Sequence, residues 1–534
     1  MDEIYDYIVV GAGAAGCAIA NRLSERPDIR VLLIEAGGSP NHFWFKVPIG
    51  IGKLQVDQAV WRYQTEPEPA LGGRGLEWVH GRVLGGSTSV NGMLFARGEP
   101  RRYDEWRDAG CPGWGYADVL PYFKRLEDCP FGDPAVRGRG GPNPITELDV
   151  DDPISEAFVA ACHEAGLPTN PDYNDGSGNQ GVCRQQMTTK RGSRFSAFHA
   201  YVKPARSRAN LTVRSEAPVD RVTVNGNRAT GIAFTAEGQQ CTAVARREVI
   251  LAGGTYHSPH LLELSGVGDG DILRKHGVPV VKHLPGVGEN LRDHLHPRVT
   301  FETNRPITVN DLLRSRWRGG RELLRYLVLR KGLFTTNTFK VMAYARSSEA
   351  APYPDIRIQC PLVSGSLRNS GKNLDPFSGF HLGSYFFYPA SRGYVHLSSP
   401  DPRAMPAMRA NYLTDAGDLA KSVQAVKLAR MISRQPAFQP VIVRETRPGP
   451  EVVADDEIKD YIIETGQTSW HPIGTCRMGT DKDAVVDPQL RVHGVARLRV
   501  ADASVMPFHT TSNTNAPSLM IGEKAADLIL QDAG

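Results

Sequence analysis

The stretch that decides the fold runs Tyr7-Ile8-Val9-Val10-Gly11-Ala12-Gly13-Ala14-Ala15-Gly16, continues through Cys17 to Leu23, and reaches a second apolar run, Val31 to Ile34, that ends on Glu35. The first apolar run is a strand signal, the glycines mark a tight turn, and the segment after them has helical character. Strand, turn, helix and strand within about 35 residues make one complete βαβ unit of the dinucleotide-binding kind. Gly11 permits the tight turn, Gly13 lets the backbone approach a pyrophosphate, and Gly16 lets helix and strand pack closely. Ala14 and Ala15 open the helix, whose unpaired N–H groups and dipole favour phosphate. Glu35, with Ala36 beside it, is placed to accept a hydrogen bond from a ribose hydroxyl. The motif alone does not separate NAD from FAD.

Working outward, the chain has 534 residues, beyond the size at which one hydrophobic core keeps growing, so two structural regions are expected. Its 62 basic and 58 acidic side chains are interspersed, and a formal charge of +4 is too weak a bias for nucleic acid. The densest basic stretch, Leu313 to Lys331, alternates arginines with leucines and Tyr326. It reads as an amphipathic helix with one apolar side packed inward, and the same pattern allows peripheral membrane contact. Eight cysteines without a C-x-x-C spacing indicate neither a zinc site nor a disulfide framework. Met1 to Asp6 lead straight into the first strand with no basic leader, and no apolar run is long enough to span a bilayer, so a cytoplasmic protein is expected.

From Asn41 to about Arg206 the chain is rich in glycine, proline and aromatic residues, as suits excursions around a cofactor. Alternation returns at Leu211 to Val224, Thr230 to Phe234 and Arg247 to Leu251, which predicts strands rejoining the first region. The expected fold class is therefore α/β: a discontinuous Rossmann-type domain, with a second, mixed-sheet domain that binds substrate. Its parts are residues 1–150, 207–296 and 467–534 for the first domain, 151–206 for a cap segment, and 297–466 for the substrate domain.

A longer signature follows at Gly81-Arg82-Val83-Leu84-Gly85-Gly86-Ser87-Thr88-Ser89-Val90-Asn91, continuing through Gly92-Met93-Leu94. Gly85 and Gly86 allow the main chain to approach a planar ring, and Ser87, Ser89 and Asn91 can hydrogen-bond phosphates or a polar ring edge. Two more segments accompany it: Gly254-Thr255-Tyr256-His257-Ser258-Pro259, leading to Ser265-Gly266-Val267-Gly268, and the stretch from Trp470 to Glu523. In these three segments, in this order, the chain resembles the glucose-methanol-choline oxidoreductase family, whose members bind FAD and mostly oxidise alcohols.

The resemblance implies FAD contacts at Arg82, Leu84, Gly85, Gly86, Ser87, Asn91, Gly92, Met93 and Leu94, at Val219 beside the adenine, and at Asp502, Ala503, Asn515 and Ala516. Some relatives hold FAD covalently through a histidine just before the asparagine. Val90 stands there, so non-covalent FAD is expected. Trp470-His471-Pro472 resembles the family's catalytic-histidine motif, and imidazole suits the removal of a hydroxyl proton near neutrality. The first asparagine of Ser512-Asn513-Thr514-Asn515 matches the second catalytic position, although asparagine also caps helices well. Trp470 either shapes a substrate slot or packs between domains. His257, His294 and His296 read as structural, as does Arg292-Asp293-His294, which lacks a nucleophile elbow.

The function implied is hydride transfer from an alcohol, read as primary, to flavin N5, with His471 taking the proton and Asn513 holding the oxygen. The Thr65-Glu66-Pro67-Glu68-Pro69 stretch and the C-terminal half look most like bacterial choline and aliphatic-alcohol dehydrogenases, which pass electrons to a quinone or dye. An oxidase using O2 is the alternative, and FAD-containing hydroxynitrile lyases share the fold without the redox chemistry.

Overall fold

The computed structural model describes residues 3–55, 57–365, 374–511 and 513–533. Ser512 of the C-terminal signature lies outside the described residues, as do Met1 and Asp2.

The first βαβ unit forms as read. Glu3–Val10 pairs in parallel with Val31–Ile34, and Ala14–Leu23 is the crossover helix. Parallel neighbours extend the sheet on both sides: Leu211–Arg214 beside Val31–Ile34, then Gln239–Leu251 beside Glu3–Val10, and Leu498–Val500 beside the end of Gln239–Leu251. The start of Gln239–Leu251 instead pairs antiparallel with Arg228–Ala236, which pairs in turn with Val219–Asn225. Ile8, Val9, Leu32 and Leu33 are fully buried because this sheet is covered on both faces, which is why its strands read as unbroken apolar runs. The C-terminal helix Asn515–Ala533 lies against Ala14–Leu23. Gly522 makes that approach feasible, since a Cβ there would fall 2.6 Å from the Ala15 carbonyl oxygen.

A second sheet has the order Ile442–Arg447, Arg298–Thr303, Gly379–Phe386, Ile356–Gln359, Val341–Ala345, Gly181–Arg184. Its strands pair antiparallel throughout, so the mixed character of this region lies in strands alternating with helices and not in strand direction. Gly181–Arg184 comes from the 151–206 segment and completes one edge. Val299, Phe301, Ile356, Ile358, Phe380 and Leu382 point to one face and pack with Val423 and Val426 of the helix Ala416–Ser433. By the period of two, Arg298, Arg357, Gln359, His381 and Tyr385 stand on the other face. That face turns toward the glycine turns of the first sheet across a shared cavity.

The basic stretch forms two helices, Val309–Arg314 and Arg316–Leu329, divided at Ser315. The expected inward-facing apolar side is absent from the second, in which only Tyr326 is buried among the described residues. Trp317 is 77% exposed, Val328 69% and Leu324 62%, because too little of the protein reaches this helix to cover it.

Candidate active site

The cavity between the two sheets has a volume of about 850 Å³. At its first-sheet end Gly11 has φ +103°, and a Cβ there would lie 2.5 Å from the Ala252 carbonyl oxygen. Gly13, Ala14 and Ala15 line the cavity, and the helix they open has no side-chain cap, so its first amides face the open space. The second glycine loop lies directly on this turn: Gly85 N–H donates to the Ala12 carbonyl at 2.8 Å, and a Cβ on Gly86 would lie 2.7 Å from the Gly13 Cα.

Glu35 and Ala36 border the same space. The Glu35 carboxylate accepts from the amides of Ala12 and Gly37, each at 2.9 Å, and burial pushes its pKa up to about 7. Ser87, Asn91, Gly92, Met93, Leu94, Val219, Asp502, Ala503 and Asn515 also line the cavity. Asp502 is held by Gly254 N–H at 2.9 Å and by the Ser258 and Ser504 groups.

Five of the residues proposed as cofactor contacts do not reach the cavity wall. Gly16 serves packing, since a Cβ there would fall 1.9 Å from the Gly11 carbonyl oxygen. Leu84 and Ala516 are fully buried in the core of the first region. Gly85 uses its amide to tie the two turns together. Arg82 stacks its guanidinium on Trp61, with 4.5 Å from its central carbon to the ring centre. Their part is to shape the loops that do line the space.

At the second-sheet end, His471 and Asn513 meet, with Nδ2 of Asn513 at 2.8 Å from Nε2 of His471. The protons along this row can be assigned from its ends. Nε2 of His294 lies 2.8 Å from the Phe387 carbonyl, which only accepts, so the His294 proton is on Nε2 and its Nδ1 is a lone pair. Nδ1 of His471 lies 3.1 Å from that lone pair and must carry its own proton. Arg357 Nη1 donates to Oδ1 of Asn513 at 2.6 Å, which turns the Asn513 amide so that its N–H group donates to His471. The lone pair of His471 is therefore on Nε2, at the cavity wall. Burial, then the neighbouring His294 and Arg357, hold its pKa well below the usual histidine value, so the imidazole is neutral at pH 7.

The backbone that presents His471 is pinned as well. Buried Asp293 accepts from His471 N–H at 2.8 Å through one oxygen and from the hydroxyls of Thr468 and Tyr412 through the other. Trp470 sits in the turn at φ +56°, lines the cavity and is only partly exposed. His509 donates from Nε2 to the His471 carbonyl at 2.9 Å. Sequence reading left out Arg357, and it set His294 and Asp293 aside as structural. All three act through His471 or Asn513, from strands and turns whose spacing carries no motif.

The residues present fit a bound dinucleotide on grounds of their own. His80 Nδ1, Asn337 Oδ1 and Asn515 Oδ1 are buried side-chain atoms of cavity-lining residues with no hydrogen-bond partner among the described residues. Leaving such atoms unmet costs about 1–3 kcal/mol each, which a polar ligand would recover. The glycine cradle leaves no room for side chains where a pyrophosphate would lie.

Comparison with known proteins accounts for nearly the whole chain. Residues 5–296 and 389–522 match the two parts of the GMC oxidoreductase family. The chain is 41% identical to oxygen-dependent choline dehydrogenase of Brucella anthropi, over 98% of this chain and 95% of that one. It is 39% identical to the mitochondrial choline dehydrogenase of Homo sapiens, over 98% of this chain and 89% of that one. Among solved structures, pyridoxine 4-oxidase from Mesorbium loti superposes with a TM-score of 0.89 at 32% identity, covering 98% of both chains. With a dinucleotide cradle and a neutral histidine at opposite ends of one cavity, and with both family segments matched, the chain belongs to the GMC oxidoreductase family and is an FAD-dependent oxidoreductase acting on CH–OH donors.

Proposed function

We propose that this enzyme oxidises a primary alcohol to an aldehyde, with Nε2 of His471 taking the hydroxyl proton and the Asn513 amide donating to the same oxygen. The observation that carries this reading is the ordered row Phe387, His294, His471, Asn513, Arg357, which keeps Nε2 of His471 unprotonated, its lone pair now met by an Asn513 N–H whose place an alcohol hydroxyl would take. When bound, FAD supplies the acceptor for the hydride that leaves the carbinol carbon. His471 removes the proton that would otherwise leave a protonated carbonyl, and Asn513 fixes the oxygen so that the carbon faces the cofactor end. Trp470 forms part of the wall against which the substrate lies.

FAD is held without a covalent bond in this reading. Val90 borders the cavity at the position of the linking histidine. Acid or heat denaturation of the yellow protein is expected to leave all of the flavin in the supernatant. Flavin that stays with the precipitate would refute non-covalent attachment.

For the electron acceptor we propose a quinone met at a membrane surface. The cavity wall includes Leu312, Leu313 and Phe334, and Leu313 is also 67% exposed beside the bare helix Arg316–Leu329. That helix presents Trp317, Leu324 and Val328 together with the exposed arginines Arg316, Arg321 and Arg325, a composition suited to lying on an anionic bilayer. No helix among the described residues is long and apolar enough to cross a membrane. The name of the Brucella anthropi relative, oxygen-dependent choline dehydrogenase, favours O2 as the alternative acceptor.

Anaerobic mixing of the holoenzyme with a panel of alcohols tests the reaction, and re-oxidation by a short-chain quinone or by O2 tests the acceptor. Bleaching of the flavin followed by faster re-oxidation with quinone is expected, as is co-sedimentation with anionic vesicles that Trp317→Glu weakens. Persistent yellow colour with cyanide released from a cyanohydrin would replace oxidation by lyase chemistry. Re-oxidation by O2 at the quinone rate would replace the dehydrogenase by an oxidase.

A further inference from the structure

The second-sheet end of the cavity is basic, and no carboxylate among the described residues lines it. Among the described residues, the carboxylates that line the cavity are Glu35 and Asp502, both at the first-sheet end and both occupied by backbone amides. Arg298, by contrast, lines the cavity with a guanidinium that makes no hydrogen bond or ion pair with any described residue, and its Nε is buried without a partner. The charged groups that act on it are Arg447, itself ion-paired with Asp375, and Tyr461. A half-buried arginine with its Nε walled off in this way leaves its charge and its donor fork uncompensated, which a bound anion would answer.

Arg298 is also within reach of the reacting centre. It stands directly across from Gly383 in the antiparallel register, and Tyr385 follows two residues on. Strand geometry puts the Arg298 and Tyr385 backbones roughly 8 Å apart. Tyr385 packs against His471 with 6.0 Å between ring centres. His296 lies between them, over Gly383, where a Cβ would fall 2.2 Å from its Nε2, and that nitrogen is buried without a partner. Gln359 shares the same row.

Beside Arg298 a quaternary ammonium would meet no carboxylate among the described residues. Its usual partners are aromatic faces and carboxylates, and the rings of Phe339 and Tyr385 already carry the Arg357 guanidinium at 5.5 and 5.7 Å.

We propose that Arg298, with His296 and Gln359 beside it, binds a carboxylate of the substrate, so that the alcohols this enzyme prefers are hydroxy acids whose anionic group lies several carbons from the carbinol. This rests on the reading of the chain as an alcohol-oxidising enzyme with its base at His471. It also separates the chain from its relatives named for choline, whose cation would be repelled by this wall.

The test uses the FAD-loaded enzyme under anaerobic conditions and matched alcohols: para-(hydroxymethyl)benzoate against para-methylbenzyl alcohol, and choline against its neutral tert-butyl analogue. The hydroxy acid is expected to bleach the flavin with kcat/KM roughly 10- to 100-fold above its neutral partner, the range of one charge-assisted contact, and choline to fall below its own. In Arg298→Leu the advantage of the hydroxy acid should collapse, mainly through KM, while Arg298→Lys restores part of it. Choline outrunning its neutral analogue, or Arg298→Leu slowing both members of a pair alike, would overturn the proposal. Binding is measured separately with para-methylbenzoate and para-methylbenzamide, which cannot be oxidised, through the shift of the flavin visible band. If no alcohol bleaches the flavin but the benzoate alone binds and loses binding in Arg298→Leu, the oxidation reading fails and the anion site stands. Equal binding of acid and amide sinks the anion site even if alcohols are oxidised.

Discussion

Replacing His471 by alanine is expected to slow anaerobic flavin bleaching by an alcohol about 10²- to 10⁴-fold, the range set by loss of a positioned general base. The cavity stays intact around the missing ring, so FAD content and substrate KM should change far less than the rate. The pH profile gives an independent signature. A base works only when unprotonated, and burial with the nearby His294 and Arg357 holds the His471 pKa well below its ordinary value of 6.5. The wild-type rate should therefore fall only on the acid side of that value and stay level from there through neutrality. His471→Ala should lose this acid limb as well as the rate. A variant that bleaches within about threefold of wild type, well short of what a general base contributes, would remove His471 from the mechanism.

Gly86→Val is expected to give a folded but nearly colourless protein. Gly86 has φ +53°, and its Cβ would lie 2.7 Å from the Gly13 Cα, where the neighbour is backbone and cannot swing aside. A β-branched residue adds left-handed strain of about 1–2 kcal/mol and overpacking of about 1–3 kcal/mol. If the loops separate to relieve this, FAD binding should weaken roughly 30- to 3000-fold. Flavin absorbance per protein at 280 nm and a thermal melt check it. A variant purified with stoichiometric FAD would show that the contact between the two glycine loops does not govern the cofactor.

The first sheet and its glycine turn were legible because each step is local: an apolar run, Gly11, Gly13 and Gly16 at fixed spacing, and Glu35 at the end of the next strand. His471 and Asn513 were legible through motif resemblance, and the structure brings them to 2.8 Å. Arg298, Arg357 and Gln359 were not. Their strands do alternate polar with apolar, but alternation reports only that one face is covered, and here the polar face meets a cavity where it would ordinarily meet solvent. His294 and Asp293 stayed hidden because their importance is a matter of tautomer and turn geometry, which appear only when Phe387, Tyr412 and Thr468 arrive from distant parts of the chain. The helix Arg316–Leu329 departed from expectation in the opposite way: its amphipathic pattern is plain in the sequence, but among the described residues only its Tyr326 is buried, and the stretch divides into two helices at Ser315.

The bond from His294 to the Phe387 carbonyl ties the proton positions of this row to how the two sheets sit together. Phe387 follows a strand of the second sheet, whereas His471 belongs to the segment that returns to the first. If that one contact opens, His294 no longer has to carry its proton on Nε2. A shift of that proton to Nδ1 would set the N–H groups of His294 and His471 against each other, while Arg357 and Asn513 at the other end of the row still hold the His471 lone pair on Nε2. A small misfit between the two regions would thus register first as strain within this row, with every residue of it still in place.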